Sequence, residues 1–278
     1  MTGLAKIMTG LAKVISDSST ITWRNVMNVR RNPDWLLGAT AFPIMFVLLF
    51  AYVFGDAIGG PGGGGGEYRE FLIAGIFAQT VAFNSSYTVI GFANDLQKGI
   101  IDRFRSLPMS RLAVLVGRTT ADQVLSVVVL VVMSLCGLLI GWRIRSSVLD
   151  AILGYLMILL FAFAMSWIGA YIGLIARSVE VANSAGLIWM FPLTFISSAF
   201  VPQESLPGIL GSIADWNPFT AAVNATRELF GNTSPTGWPE PSGWPAENAA
   251  LYAILSCVVI VAIFAPLATA RYRRVASR

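Results

Sequence analysis

The chain contains no histidine, only two cysteines and a small share of charged residues. Without histidine it lacks the commonest general base and the commonest metal ligand, so neither a catalytic site nor a metal centre is expected. Cys136 and Cys257 lie in apolar runs, where a thiol packs as a small hydrophobe, so no disulfide framework is expected. Charged residues make up 12% of the chain and hydrophobic residues 55%, whereas a soluble domain is roughly 25% charged. The composition therefore predicts an integral membrane protein.

Six uncharged runs are long enough to cross about 30 Å of hydrocarbon as helices. They cover about residues 35–55, 71–94, 119–142, 151–176, 181–203 and 248–270. Strands of a membrane barrel would alternate in polarity, whereas these runs are apolar throughout. The runs predict an all-α membrane protein with six transmembrane helices. An even number of spans puts the N-terminal segment 1–34 and the basic tail 271–278 on the same side.

The basic residues are divided unevenly between the two sides of this predicted bundle. Of the nineteen Lys and Arg, fifteen lie in the terminal segments, the 95–118 loop and the turn at Arg177, and four lie on the opposite side. Cytoplasmic loops of membrane proteins carry the excess of Lys and Arg, so both termini and this loop are predicted to be cytoplasmic. Because the charge follows membrane sides, it gives no reason to expect nucleic-acid binding.

The 95–118 loop carries an amphipathic pattern. Five apolar residues of this loop share one helical face: Leu96, Ile100, Ile101, Phe104 and Leu107. Pro108 ends the helix, because the residue before a proline is kept out of the α region, and a new helix is expected from Arg111. A short amphipathic helix between two spans fits a lever that a soluble partner pushes. The alternative is a basic loop that only fixes the topology.

Two further segments have a helical pattern that does not span. Residues 19–33 form an amphipathic pattern that is predicted to lie in the membrane interface ahead of the first span. Residues 204–230 contain two short apolar pieces broken at Asn217-Pro218, which predicts a re-entrant excursion; a pair of surface helices is the alternative. The five consecutive glycines at 62–66 lack the Gly-Lys-Ser/Thr ending of a phosphate-binding loop, so they predict no nucleotide site.

These features together resemble the permease subunits of ABC-2 type exporters, especially the daunorubicin resistance permeases of the DrrB type. The resemblance covers nearly the whole chain from about residue 19. It rests on the six spans, the loop sequence GIIDRFRSLPMSR at 99–111, and a re-entrant segment whose matching residues are Pro202, Pro207, Asn217, Pro218 and Arg227. One departure concerns the acidic residue before the loop glycine, which is often glutamate in the family and here is Asp95.

The resemblance implies a multi-pass transport subunit of the bacterial plasma membrane that binds no cofactor itself. ATP and Mg²⁺ would be bound by a separate ABC ATPase subunit, present in two copies, and a second copy of the permease or a homologous permease would pair through the first and fifth spans. The 95–118 loop would then be the coupling helix on the ATPase. Its implied contact residues are Gly99, Ile100, Ile101, Arg103, Phe104, Arg105, Leu107, Pro108 and Arg111.

The substrate pathway is expected along the first, second and fifth spans. Its candidate lining residues are Phe42, Phe46, Phe50, Phe77, Asn84, Phe191, Phe195 and Phe200. Aromatic faces offer contact area and sparse polar groups offer orientation to a flat amphipathic substrate; the alternative is phenylalanine that faces lipid or packs between helices. The cargo stays open among a drug, another antibiotic, a lipid and a cell-envelope glycolipid. A membrane-embedded enzyme and a non-transporting assembly protein are the competing classes.

Overall fold

The computed structural model describes residues 3–31, 33–55, 65–101, 110–202, 206–232, 234–235, 237–239 and 241–275. Every regular element in this part of the chain is helical. In chain order the helices are α1 (Gly3–Arg31), α2 (Pro33–Leu48), α3 (Gly65–Gln97), α4 (Arg111–Leu139), α5 (Val148–Ile175), α6 (Val179–Ile188), α7 (Met190–Phe195), α8 (Gly208–Asp215), α9 (Pro218–Phe230), α10 (Trp244–Glu247) and α11 (Ala249–Val275). A π-helical turn, Leu49–Val53, follows α2 directly.

Helix α3 is the central element of the bundle. It packs against α2, α4, α5, α6, α7 and α9. Its middle third is buried on all sides, and this includes polar residues such as Gln79, Thr80 and Ser85. Because protein covers α3 instead of lipid, its sequence can carry polar groups that an exposed transmembrane helix would not tolerate.

Helices α4, α5 and α11 form the most apolar part of the bundle. Among the described residues, three helices are long and apolar enough to cross a membrane: Leu112–Leu139, Val148–Ile175 and Ala249–Arg274. Leu37–Val53 is a shorter apolar helix. The short connection between α4 and α5 makes them neighbours, and Ser147 caps α5 by accepting a hydrogen bond from the Asp150 amide.

The C-terminal half of α1 and the last turns of α11 lie at one end of the bundle, here called the termini end. Ile21 of α1, Leu115 of α4, Leu174 of α5 and Tyr272 of α11 pack there in one apolar cluster. The opposite end, here called the distal end, joins the start of α3 to the connection between α4 and α5, where Arg145 pairs with Glu70 at 2.8 Å. The described residues of the 95–118 loop therefore lie at the termini end, as expected for a loop that follows two predicted spans after the N-terminal segment.

The N-terminal helix is longer than the sequence pattern indicated. It begins at Gly3, not near residue 19, and packs against the first turns of α4. Thr22 donates a hydrogen bond to the Gly117 carbonyl at 3.0 Å, and the Ser110 amide donates to Asp17 at 3.0 Å. Helix α1 is therefore attached to residues 110–117, the C-terminal part of the 95–118 loop.

The fifth predicted span is interrupted. Helix α6 ends at Ile188, α7 covers only Met190–Phe195, and residues 196–202 contain no helix. This corrects the expectation of one continuous helix over 181–203. Pro192 has no N–H to donate to the Ile188 carbonyl, which accounts for the break between α6 and α7. The end of the helix after Phe195 has no glycine or proline signal before Pro202.

The two short helices predicted in the 204–230 segment are present, with the break at Asn217. The Asn217 side chain caps α9 by accepting a hydrogen bond from the Phe219 amide at 2.8 Å, and Pro218 takes the first helical position. Helix α9 is buried among α3, α5 and α11, whereas Ile209 and Ile213 of α8 are exposed. Only the second of the two helices is thus an internal element of the bundle.

Candidate functional site

Six phenylalanine rings form a closed circuit in which each ring neighbours the next. The order is Phe42, Phe46, Phe200, Phe195, Phe191, Phe83 and back to Phe42, with ring centroids 4.7–6.3 Å apart. Phe50 joins them by stacking on Phe200 at 4.7 Å. These seven residues are called the aromatic cluster. It brings together α2, α3, α7 and the unwound segment after α7.

The aromatic cluster reaches from the surface of the bundle into its interior. Phe42, Phe191 and Phe195 are 41%, 43% and 46% exposed, whereas Phe200 is 6% exposed. The exposed members lie near other exposed apolar residues, Met45 of α2 and Ile188 at the end of α6. The cluster therefore offers ring faces that are open at the surface of the protein and continuous with its core.

The π-helical turn after α2 helps to position two of these rings. The Phe54 amide donates to the Leu49 carbonyl at 3.1 Å, which is a bond to the fifth residue back instead of the fourth. Such π turns are rare and shift the direction of the side chains that follow. Phe50 lies inside the turn, between Phe46 at 5.6 Å and Phe54 at 5.5 Å.

Six of the eight predicted pathway residues belong to the aromatic cluster, and Phe83 was missed. Phe77 lies apart from it, fully buried and in ring contact with Trp142, Tyr155 and Phe230. Asn84 is 7% exposed, and its amide nitrogen has no hydrogen-bond partner among the described residues. The spacing of Phe42, Phe46 and Phe50 at intervals of four residues is a helical pattern visible in the sequence. Phe83 lies in a long apolar run with no distinguishing pattern.

The unwound segment 196–202 is held by side chains from distant parts of the chain. Asn217 donates to the carbonyls of Leu193 and Ile196 at 2.7 and 2.6 Å, and Tyr68 donates to the Phe200 carbonyl at 3.2 Å. An unpaired carbonyl in an apolar environment costs several kcal/mol, so an interrupted helix needs such partners. These bonds fix the backbone that carries Phe200 into the aromatic cluster.

Gly75 of α3 allows the unwound segment to approach closely. A side chain at this position would collide with the carbonyl group of Ala199. The contact of backbone with backbone leaves no room even for a methyl group, which is the use of glycine at such crossings. The position of the unwound segment thus depends on one small residue as well as on its hydrogen bonds.

Arg227 of α9 makes the largest set of contacts with this segment. Its Nη2 donates to the carbonyls of Ser198 and Ala199 at 2.8 and 3.0 Å, and its Nε donates to the Phe71 carbonyl at 2.9 Å. Its Nη1 donates to Ser198 Oγ and to Asn224 Oδ1 at 3.3 and 3.2 Å. The guanidinium carbon lies 3.3 Å from the centroid of the Phe71 ring. No described carboxylate pairs with this buried cation, so it is stabilised by carbonyl dipoles and an aromatic face.

An ionic contact closes the base of the 95–118 loop. Asp95, just after the second predicted span, lies 3.6 Å from Arg118 of α4 and 3.8 Å from Arg24 of α1. Burial raises the pKa of the Asp95 carboxyl above its usual value, and the nearby guanidinium groups of Arg118 and Arg24 oppose that shift. The residues that begin and end the loop are therefore joined to each other and to the N-terminal helix.

The described part of the loop corrects one helical prediction. Gly99 has a φ of +63°, a conformation that favours glycine, and it ends α3 after Gln97. Leu96 therefore belongs to α3 and not to the amphipathic helix expected through residues 96–107. The new helix that was expected to begin at Arg111 is confirmed, and Ser110 is its N-cap residue.

The predicted coupling residues divide into two groups. Ile101 is 3% exposed and packs within the chain's own cluster at the termini end, so in this arrangement it anchors the loop instead of facing a partner; Ile100 is half-buried. Five others lie outside the described residues: Arg103, Phe104, Arg105, Leu107 and Pro108.

Among the re-entrant residues, Pro202 and Asn217 are buried, Pro218 is half-buried and Pro207 is exposed.

Comparison with known proteins agrees with these observations. A family model described as ABC-2 type transporter matches residues 17–230. The chain is 33% identical over 262 residues to the daunorubicin resistance ABC transporter permease protein DrrB1 of Streptomyces coeruleorubidus, covering 94% of this chain and 88% of that protein.

Two more distant relatives cover most of the chain. The probable doxorubicin resistance ABC transporter permease protein DrrC of Mycobacterium tuberculosis is 22% identical over 76% of each chain. The putative transport permease ycf38 of Porphyra purpurea is 23% identical over 80% of this chain and 76% of its own length. Members of this family are transport subunits whose ATPase is a separate subunit. The chain therefore belongs to the ABC-2 type transporter family, as a membrane-embedded permease subunit of the DrrB type.

Proposed function

We propose that this permease moves a hydrophobic or amphipathic compound outward across the bacterial plasma membrane, using ATP hydrolysed by a separate ABC subunit. The observation that carries the proposal is the aromatic cluster, whose half-exposed rings continue into buried ones. A planar substrate gains area from ring faces, and rings at the protein surface can receive it directly from the lipid phase. The names of two relatives refer to resistance against daunorubicin and doxorubicin, which favours a drug or antibiotic as the cargo.

The energy for this movement enters at the termini end. We assign the 95–118 loop as the element that contacts the ATPase, while ATP and Mg²⁺ are bound by that partner. The Asp95–Arg118 contact joins α3, which carries Phe83, to α4, and the Arg24 contact adds α1. A displacement of the loop is thereby passed to the helix that lines the aromatic cluster.

A second permease copy completes the proposed pathway. Helices α2 and α6 carry exposed apolar residues next to the aromatic cluster, among them Leu37, Met45 and Ile188. Pairing of two such faces would cover the exposed rings and enclose a route between the copies. The same arrangement follows from the family resemblance through the first and fifth predicted spans.

The proposal is tested by efflux in cells that co-express the permease with its ABC ATPase. Phe191→Ala and Phe195→Ala each remove a ring that is nearly half exposed and that therefore contacts few neighbouring side chains. We expect the two changes together to lower efflux of a fluorescent planar drug about tenfold, because each ring contact is worth about 0.5–1.5 kcal/mol.

Phe264→Ala is the matched control, since this half-buried ring on α11 packs against Tyr171 and lies outside the aromatic cluster. Membrane levels of all variants are compared by immunoblot. Unchanged efflux in the Phe191 and Phe195 variants, at normal protein levels, would remove the aromatic cluster from the pathway.

A further inference from the structure

A cavity of about 450 Å³ lies at the distal end, on the other side of the unwound segment from the aromatic cluster. Its wall includes Phe71 of α3, Ser198 and Pro202 of the unwound segment, Asn224 of α9 and Trp238. Small-molecule sites in proteins have volumes of about 300–1,000 Å³, so the cavity has room for an organic ligand. The proposed pathway does not use it.

The apolar part of the wall is rigid and aromatic. Trp238 lies edge-on to Phe71, with ring centroids 5.1 Å apart, and it also contacts Tyr68 at 5.9 Å. Tyr68 in turn donates to the Phe200 carbonyl. Trp238 is only half-buried, so part of the indole stays open to the cavity. This wall suits a ligand with an apolar or aromatic body.

One buried polar group offers a hydrogen bond to the cavity. Asn224 is 7% exposed, and both of its described contacts, from Ser198 and Arg227, use its Oδ1 atom. Its amide nitrogen donates to no described atom, although the residue lines the cavity. This N–H is therefore available to donate to a ligand oxygen in the cavity.

The charged residues that line the cavity determine which sign of charge a ligand should carry. Arg227 is the one cation among the described lining residues, and all five of its N–H donors are engaged by protein atoms and so offer nothing to an anion. Glu228 and Glu247 also line the cavity, and both are exposed. Two carboxylates against one shielded guanidinium give these residues a net charge of −1 and attract a cation.

We propose that this cavity is a binding site for an amphipathic organic cation that carries a hydrogen-bond acceptor. The cation faces Glu228 and Glu247, the apolar body lies along Trp238, and the acceptor takes the Asn224 amide. If the cavity holds the transported substrate after it passes the unwound segment, this role rests on the proposed function. The binding of a cation in the cavity does not rest on it.

The test measures binding to the purified full-length permease in detergent, with no ATPase and no ATP. Ser234 lines the cavity, so Ser234→Cys in a background of Cys136→Ala and Cys257→Ala places a single thiol there. The rate of maleimide labelling is followed with increasing tetraphenylphosphonium, and with tetraphenylborate as an anion of the same shape. We expect the phosphonium to slow labelling and the borate to have no effect.

Glu228→Gln combined with Glu247→Gln should weaken protection by the phosphonium about tenfold, since two exposed ion pairs of up to about 1 kcal/mol are lost. Asp150→Asn is the matched control, because this carboxylate is at the distal end but outside the cavity. Absence of protection, equal protection by the borate, or full protection in the double glutamine variant would each overturn the proposal. None of these results bears on efflux through the aromatic cluster, which the Phe191 and Phe195 variants test separately.

Discussion

A guanidinium group has five N–H donors in one plane, and Arg227 uses all of them on oxygen atoms of α3, α9 and the unwound segment. Three of these acceptors are backbone carbonyls, and two of them, those of Ser198 and Ala199, lie in the unwound segment, where no helix supplies a donor. The residue therefore acts as a support for an interrupted helix, and the charge is retained because it strengthens every one of these bonds.

Arg227→Met should destabilise the folded protein by about 3–5 kcal/mol, because it leaves several buried carbonyls unpaired. Arg227→Lys should fall between the wild type and Arg227→Met, since an ammonium group has three donors and no planar arrangement. The measurement is thermal unfolding of the detergent-solubilised protein, followed by circular dichroism. Arg145→Gln, at the exposed end of the pair with Glu70, is the control with little expected change. A Met variant as stable as the wild type would contradict the supporting role.

At the scale of single helices, the ends of α3 and α4 matter most. The loop between them is closed by Asp95 and Arg118, whose side chains are only 14% and 18% exposed. Helix α1 joins the same point through Arg24 and through the bond from the Ser110 amide to Asp17. Three helices are therefore joined at this point, and the proposed coupling would pass a displacement of the loop to all three.

Asp95→Asn should lower the number of drug molecules exported per ATP hydrolysed, because the loop could then shift without moving α3. The broken pair should also cost about 1–3 kcal/mol of stability, less than a fully buried pair because solvent reaches part of it. Efflux and ATPase activity are measured together in vesicles that contain the assembled exporter. Exchanging the two charges, Asp95→Arg with Arg118→Asp, should restore part of the coupling. Normal coupling in Asp95→Asn would show that the contact only stabilises the fold.

At the scale of the whole molecule, the described part of the 95–118 loop lies at the same end as the C-terminal half of α1 and the last turns of α11, and the excess of basic residues predicts that this end is cytoplasmic. Lys98→Cys lies at the termini end and Val148→Cys at the distal end, and both positions are exposed. In intact cells, a membrane-impermeant maleimide should label only Val148→Cys, and Lys98→Cys should react after permeabilisation. Both are made in the background that lacks Cys136 and Cys257, which is the unlabelled control. Labelling of Lys98→Cys in intact cells would reverse the orientation.

The sequence alone determined the features that depend on local chemistry. Apolar length predicted the membrane helices, and Asn217-Pro218 predicted the start of α9, because an asparagine cap followed by proline is a strong local signal. The four-residue spacing of Phe42, Phe46 and Phe50 is likewise visible in the sequence, and the structure places Phe50 in the π-helical turn that follows α2.

Only the tertiary structure decided where the fifth predicted span breaks and how the aromatic cluster closes. The break after Phe195 is stabilised by Tyr68 of α3, Arg227 of α9 and Asn217, which caps α9. Phe83 meets Phe42 through the packing of α3 on α2, and Phe200 meets the rings of α2 because this break redirects the chain. Ile101 is buried in a cluster that also contains residues of α1 and α11. Such contacts join residues far apart in the chain, and a pattern read along the sequence contains no information on which distant carbonyl a side chain will satisfy.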